Sequence, residues 1–268
     1  MEFFDTHAHL DFPDFAADLP QVVTRAEAAG ISRIISIGTD LASSRQAVAL
    51  SERFPKVYAV VGWHPCHASE APQDFRPELR ELARHPKVVA IGETGLDHHH
   101  LPSENPSCTA ADDDRYKDRQ AQIFQQQLEV AAELGLNCVI HQRNAFDATL
   151  DQLRPFASKV RGVFHCFGNP PDDMRRILEL GSIVSFTGIL TFKNAQTVRD
   201  SLAAAPPDGF MLETDCPYLA PIPYRGKRCE PAYVREIATL AARVRQCSIE
   251  DLSRMTCATA RSFFPKMT

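Results

Sequence analysis

Residues 57–97 read VYAVVGWHPCHASEAPQDFRPELRELARHPKVVAIGETGLD. The stretch begins with an apolar, β-branched run, Val57–Gly62. It continues through a segment with helical spacing near Asp74–Arg84 and returns to a second apolar run, Val88–Glu93. Each run leads to a side chain that carries chemistry, His64 just after the first and Glu93 at the end of the second. A strand–helix–strand unit of this kind is the repeating element of a parallel α/β fold.

Working outward, the same alternation fills the chain. Further strands are expected at Phe3–Asp5, Arg33–Gly38, Asn137–His141, Gly162–His165, Ser182–Phe186 and Phe210–Glu213. Helices are expected near Pro20–Ala29, Ser43–Phe54, Lys117–Leu134, Ala145–Ala157, Pro171–Leu180, Ala195–Ala204 and Pro231–Arg245, and a last one near Ile249–Phe263 is expected outside the ring. Eight such units in 268 residues predict a (β/α)₈ TIM barrel, which commonly takes about 250 residues. The expectation is an α/β fold in a single domain over 1–268, with an extra C-terminal helix. An open doubly wound sheet is the competing architecture, and no Gly-x-Gly-x-x-Gly loop follows an early strand to support it. Residues 98–115, HHHLPSENPSCTAADDDR, break the alternation and read as a loop insertion. The His98-His99-His100 triplet in it fits either a metal-binding tract or an exposed polar loop.

Charge and cysteines set limits. With 29 basic and 34 acidic side chains the net charge is −5, which excludes a protein that holds nucleic acid by bulk positive charge. It leaves open an enzyme whose bound cations supply positive charge locally. Apolar stretches such as Val57–Gly62 and Val88–Gly92 fall far short of the roughly 20 residues that cross a bilayer. The start, Met1 to His7, lacks the basic and apolar regions of a signal peptide. The 8 cysteines are scattered with no Cys-x-x-Cys pair, so reduced thiols in a cytoplasmic protein are expected, with Cys66, Cys166 and Cys216 beside candidate site residues.

The candidate site residues all fall at strand ends. His7 and His9 follow the first strand, His64 the third, Glu93 the fourth, His141 the fifth, His165 the sixth and Asp215 the eighth. Barrel enzymes build their sites there, from several strands at once. His7 and His9 are two residues apart, so on an extended backbone both rings point the same way and can chelate one ion. The Glu93 carboxylate can bridge two cations, His141 and His165 can serve a second ion, and Asp215 can complete the first. Four imidazoles and two carboxylates suffice for a binuclear site with positions left open for water and substrate.

These residues lie in blocks that resemble the TatD family of metal-dependent deoxyribonucleases, within the amidohydrolase-like barrels. The blocks are Asp5-Thr6-His7-Ala8-His9-Leu10-Asp11, Val61-Gly62-Trp63-His64-Pro65, Ala90-Ile91-Gly92-Glu93-Thr94-Gly95-Leu96-Asp97, Val139-Ile140-His141-Gln142-Arg143, His165-Cys166-Phe167-Gly168, Leu212-Glu213-Thr214-Asp215-Cys216-Pro217-Tyr218-Leu219 and Arg225-Gly226-Lys227-Arg228-Cys229-Glu230-Pro231. They run nearly end to end. The resemblance implies one metal on His7, His9, Glu93 and Asp215 and a second on Glu93, His141 and His165. The chain departs from the family pattern at His98-His99-His100, at the insertion after it, at Cys229 and at Ala258, where the family commonly has Asn at the last two. No ligand position departs.

The resemblance implies phosphodiester hydrolysis in DNA, as a 3′–5′ exonuclease with two divalent ions (Mg, Mn or Zn) and an activated water. Asp215 is the expected general base, with Glu93 beside it at the centre of the site. His64, Arg143 and Arg225 are the expected substrate contacts, with His64 either contacting the phosphate or protonating the leaving oxygen, and Arg228 offers a further guanidinium for phosphate. Phe167 and Tyr218 are expected near the mouth, where aromatic rings can stack on unpaired bases, and neither is assigned that role. The expected partner is DNA as single strands or duplex ends, bound by a monomer at the barrel mouth. Hydrolysis of another ester, such as D-aminoacyl-tRNA, would use the same ligands. A lactonase or cyclic amidase commonly bridges its metals with a carboxylated lysine, where this chain has Glu93. A non-catalytic nucleic-acid-binding protein with a structural zinc would call for a closed four-coordinate site.

Overall fold

The computed structural model describes residues 1–267. Eight parallel strands pair in sequence order: β1 (Phe3–Ala8), β2 (Ile31–Ile37), β3 (Val57–Val61), β4 (Val88–Asp97), β5 (Asn137–Arg143), β6 (Gly162–Phe164), β7 (Ile183–Phe186) and β8 (Phe210–Leu212). The helices between them are α1 (Leu19–Ala28), α2 (Leu41–Arg53), α3 (Arg76–Ala83), α4 (Ala110–Leu134), α5 (Phe146–Leu153), α6 (Pro171–Glu179) and α7 (Gln196–Ala204), followed by α8 (Val234–Arg245) and α9 (Ile249–Phe263). β8 closes on β1 through a bridge between Ala8 and Cys216, where the His9 N–H donates to the Cys216 carbonyl at 2.9 Å. The result is a nearly closed TIM barrel. No helix among the described residues is long and apolar enough to cross a membrane.

The strands form because their β-branched residues have two apolar places to go. Ile34, Val57, Ala59, Val61 and Ile140 face outward into the layer beneath the helices. Alternate residues, Ile35, Val60, Val139, Val163, Ile183 and Met211, fill the interior. Adding two to those interior positions along β5, β6 and β8 gives His141, His165 and Glu213, so the polar site is the next layer up the same faces. The alternation is broken where it matters. The register slips by one residue between Asp5 and Ala8 on β1 and between Ile91 and Thr94 on β4, which places His7 and Glu93 within bulges.

Two features correct the sequence reading. The sequence suggests a last helix outside the ring, but α9 runs beneath the barrel. Phe263, Phe264 and Met267 join the interior cluster of Phe4, Ile35 and Val60, and Asn137 at the start of β5 donates to the Phe263 carbonyl at 2.6 Å. An open N-terminal mouth would leave that apolar layer against water, and covering it buries the surface. The 98–115 segment is a loop only up to Thr109. α4 begins at Ala110, where the Thr109 N–H and hydroxyl both donate to Asp112. The acidic run thus forms the first turn of a helix, where carboxylates meet the positive end of the dipole. Asp113, nearly buried, accepts from the Ser103 N–H and hydroxyl and ties the loop down.

α4 also fixes the strand ends. Gln127 and Gln120, both fully buried and two turns apart, each pair twice with backbone: Gln127 with Trp63 after β3 and Gln120 with Asp97 at the end of β4, all at 2.8–2.9 Å. Gly95 lets β4 lie against β5 at His141. Its φ is +127° and a Cβ there would come within 2.1 Å of the His141 carbonyl oxygen.

Gly135, at the C-terminus of α4, also has positive φ (+65°), but a Cβ there would meet nothing within 4 Å. Gly135→Ala should therefore cost about 1–2 kcal/mol from backbone strain alone. Gly95→Ala should cost clearly more, because β5 must shift, and should weaken metal binding as well. Urea unfolding and metal titration of the two variants check this; equal losses would contradict it.

Candidate metal centre

The strand ends converge on Glu93. Its Oε2 lies 3.4 Å from His7 Nε2 and 3.7 Å from His9 Nε2, and Asp215 Oδ1 lies 3.7 and 3.4 Å from the same two nitrogens. Its Oε1 lies 3.1 Å from His141 Nδ1 and 2.8 Å from His165 Nε2, which are 3.2 Å from each other. The two oxygens of one carboxylate thus face two different donor sets. Each histidine in these sets turns one ring nitrogen inward.

The spacing fits cations. Donors around a tetrahedral ion with bonds of about 2.0–2.2 Å stand about 3.3–3.6 Å apart, and donors at right angles about 2.8–3.1 Å apart. The first set, at 3.3–3.7 Å, matches the former, and the second, at 2.8–3.2 Å, the latter. His7 Nε2 and His9 Nε2 face each other across 3.3 Å, close enough for a hydrogen bond between neutral rings or for both to ligate one cation. Their outer Nδ1 atoms are buried without hydrogen-bond partners, and the rings stack on His165 and Phe12, so their polar contacts run through Nε2 alone. The residues present fit divalent metal.

Three of the histidines are shifted toward their charged form by the carboxylates around them. Burial opposes charge on His9, His141 and His165, but facing carboxylates outweigh it: Asp215 and Glu93 for His9, Asp97 and Glu93 for His141, and Glu93 and Glu213 for His165. All three stand above the ordinary histidine value. Burial pushes Glu93 up, but His165, His64 and His7 more than offset it, and the carboxyl stands well below its usual range. Asp215 is lowered in the same way, against burial, by His9, His7 and His165.

His64 also reaches Glu93, its Nε2 lying 3.2 Å from Oε1. Its Nδ1 accepts the Cys66 N–H at 3.1 Å, so the ring proton sits on Nε2 and that atom donates to the carboxylate. Burial lowers its pKa to about 4, aided by the neighbouring His141 and His165 although Glu93 opposes it. His64 is therefore a neutral hydrogen-bond donor, suited to contacting phosphate and poorly suited to protonating a leaving oxygen. Arg143 lines the same cleft and is exposed there. Arg225 lies elsewhere, stacked 3.7 Å over the Phe192 ring. Arg228 is held by Asp18 and the Asp14 carbonyl. Of the two aromatics, Phe167 is buried against Phe186, whereas Tyr218 is 54% exposed at the mouth and meets Phe12 edge-on.

Three carboxylates behind the centre carry no role in the sequence reading. Asp97 Oδ2 lies 3.0 Å from His141 Nε2, an outer partner that fixes the tautomer with Nδ1 free to ligate. Glu213 Oε1 accepts the Cys166 N–H at 2.7 Å and faces His165 Nδ1 at 3.7 Å. Asp5 accepts from the Thr214 N–H and hydroxyl at 2.9 and 2.6 Å, tying β1 to the segment that carries Asp215, and burial pushes it up to about 8. Glu213 stands two residues after the interior Met211 of β8, so alternation continued from Met211 points to it. Burial, with Asp97 alongside, pushes the Cys66 thiol up to about 12, which makes it a poor nucleophile when free.

Two cavities of about 490 and 560 Å³ meet at the centre, sharing His141, Arg143, His165, Asp215 and Tyr218. The two lobes meet at the candidate metal ligands, so the cleft extends to both sides of the centre.

The comparisons with known proteins agree with this chemistry. The family model of TatD-related DNases matches residues 4–265. The uncharacterized metal-dependent hydrolase YabD of Bacillus subtilis is 36% identical over 262 residues, which cover 97% of this chain and 98% of that one. The 3′-5′ ssDNA/RNA exonuclease TatD of Erwinia billingiae is 35% identical over 268 residues, again 97% and 98% of the two chains. Among solved structures, the TatD homologue YJJV of Escherichia coli superposes with a TM-score of 0.89 at 27% identity, covering 98% of each chain.

Because three of the candidate ligand histidines stand above their ordinary value, metal uptake at pH 7 should release protons, and affinity should rise with pH. Calorimetric titration of chelator-stripped protein in buffers of different ionisation enthalpy measures the release. A binding heat independent of buffer, with affinity unchanged between about pH 6 and 8, would contradict the assignment.

Proposed function

The chain belongs to the TatD-related DNase family and is a metal-dependent hydrolase, and from that premise we propose that it is a 3′–5′ exonuclease acting on single-stranded DNA or duplex ends through a binuclear centre. The observation that carries the proposal is the Glu93 carboxylate, whose two oxygens address two donor sets. His7, His9, Asp215 and Glu93 would hold one ion, and Glu93, His141 and His165 the other. When bound, two divalent cations supply charge that polarises a phosphodiester and favours ionisation of nearby water.

The chain's own residues do the rest. Asp215 sits at the junction of the two lobes and takes the proton of the attacking water. The water oxygen bonds to phosphorus as the bond from phosphorus to the 3′ oxygen breaks, and the departing oxygen takes a proton from solvent. A 5′-mononucleotide leaves. The His64 Nε2–H donates to a non-bridging phosphate oxygen. The Arg143 guanidinium pairs with a flanking phosphate, as a planar fork does best. Tyr218 offers its exposed ring to an unpaired base, a contact indifferent to sequence. With a net charge of −5, binding is confined to this mouth, which favours ends and single strands over long duplexes. All 8 cysteines are unpaired, in keeping with a reducing cytoplasm.

Metal content should be two ions per chain and should fall sharply in Glu93→Ala. On 3′-labelled oligonucleotides Asp215→Asn should lose at least about 10²-fold in turnover. His64→Ala should raise KM more than it lowers kcat. Cleavage that survives chelators, full activity in Glu93→Ala, or turnover of aminoacyl esters with DNA untouched would overturn the proposal.

A further inference from the structure

Beside the centre, and using none of its six ligands, a second group of donors meets at the rim of the cleft. Asp97 Oδ2 lies 2.9 Å from His100 Nδ1 and 3.5 Å from Cys66 Sγ, and Sγ is 4.0 Å from Nδ1. Asp97 Oδ1 is already taken by the His99 and His100 N–H groups at 2.8 Å, which leaves Oδ2 as the corner that faces the other two donors. The chain supplies these groups from two separate strand ends: Cys66 from the turn after His64, and Asp97 and His100 from the end of β4.

We propose that Cys66, Asp97 and His100 form a third cation site, for a thiolate-accepting divalent ion such as zinc. A tetrahedral ion with bonds of about 2.3 Å to sulfur and 2.0–2.1 Å to nitrogen and oxygen sets its donors about 3.3–3.6 Å apart. Each of the three separations lies within about half an ångström of that range. Cys66 and His100 are partly exposed at the rim and free to make the adjustment. Nitrogen, oxygen and sulfur together select zinc or cobalt over magnesium or manganese. On binding, the Cys66 thiol gives its proton to solvent and the thiolate bonds to the ion. Three protein donors leave one position for water or a substrate oxygen, and the cleft supplies the access.

Two connections follow. Asp97 Oδ2 also accepts from His141 Nε2 at 3.0 Å, so the new ion and the barrel centre share one carboxylate. Arg143 Nη1 stands 3.5 Å from His100 Nε2. With Nδ1 on the ion the ring proton sits on Nε2, which can no longer accept from Arg143, and the guanidinium is released into the cleft. That second effect rests on the phosphate-binding role proposed for Arg143; the site itself does not.

Cobalt titration of the chelator-stripped protein tests the site directly, since thiolate-to-cobalt charge transfer absorbs in the near ultraviolet and the barrel centre has only nitrogen and oxygen donors. The band should saturate with one equivalent assigned to it, vanish in Cys66→Ser, weaken in His100→Ala and persist in Cys166→Ser. Zinc content of the wild type should exceed that of Cys66→Ser by one ion per chain, with circular dichroism unchanged. Absence of the band, its survival in Cys66→Ser, or equal zinc content in the two proteins would overturn the proposal. None of these readouts depends on nuclease activity or on whether Glu93 bridges.

Discussion

Glu93 is a carboxylate 2% exposed, set above an apolar plug and approached by ring nitrogens from His7, His9, His64, His141 and His165. A lone ion at that depth would cost several kcal/mol to desolvate. The surrounding architecture compensates that charge. The bulges in β1 and β4 bring His7 and Glu93 to the same level, and α4 grips the ends of β3 and β4 through Gln127 and Gln120. Asp97, Glu213 and Asp5 stand behind the first ring of residues and steady it. The facing histidines compensate the carboxylate, and a divalent cation held there would do the same.

Much of this is legible in sequence because barrel strands are short and their interior alternates. Apolar runs that end on His64, Glu93, His141 and His165 announce both the fold and the place of the site. Three things are hidden from that reading. The slips in register at His7 and Glu93 arise from pairing between strands, which a single strand's pattern does not contain. The position of α9 depends on which apolar layer most needs covering, since its amphipathic face would suit either the side or the base of the barrel. The start of α4 is masked by acidic residues that look like a loop but stabilise a helix N-terminus. Residues that act through others, such as Asp97 on His141, leave no signature until the partner is placed. Arg225 shows the reverse: a cation in a promising motif that packs on Phe192 away from the cleft lining.

A net charge of −5 is compatible with the proposed phosphodiester substrate, because the candidate metal ligands and Arg143 gather at one cleft, where bound cations would concentrate positive charge. His100, from the turn after β4, lines the same cleft as Cys66.

Anomalous diffraction from crystals loaded with manganese, an ion the rim cluster disfavours, tests the central claim most directly. A binuclear centre bridged by Glu93 gives two peaks, about 3.5–4 Å apart, one on each oxygen of Glu93. A single peak, or two peaks of which neither touches Glu93, would contradict it.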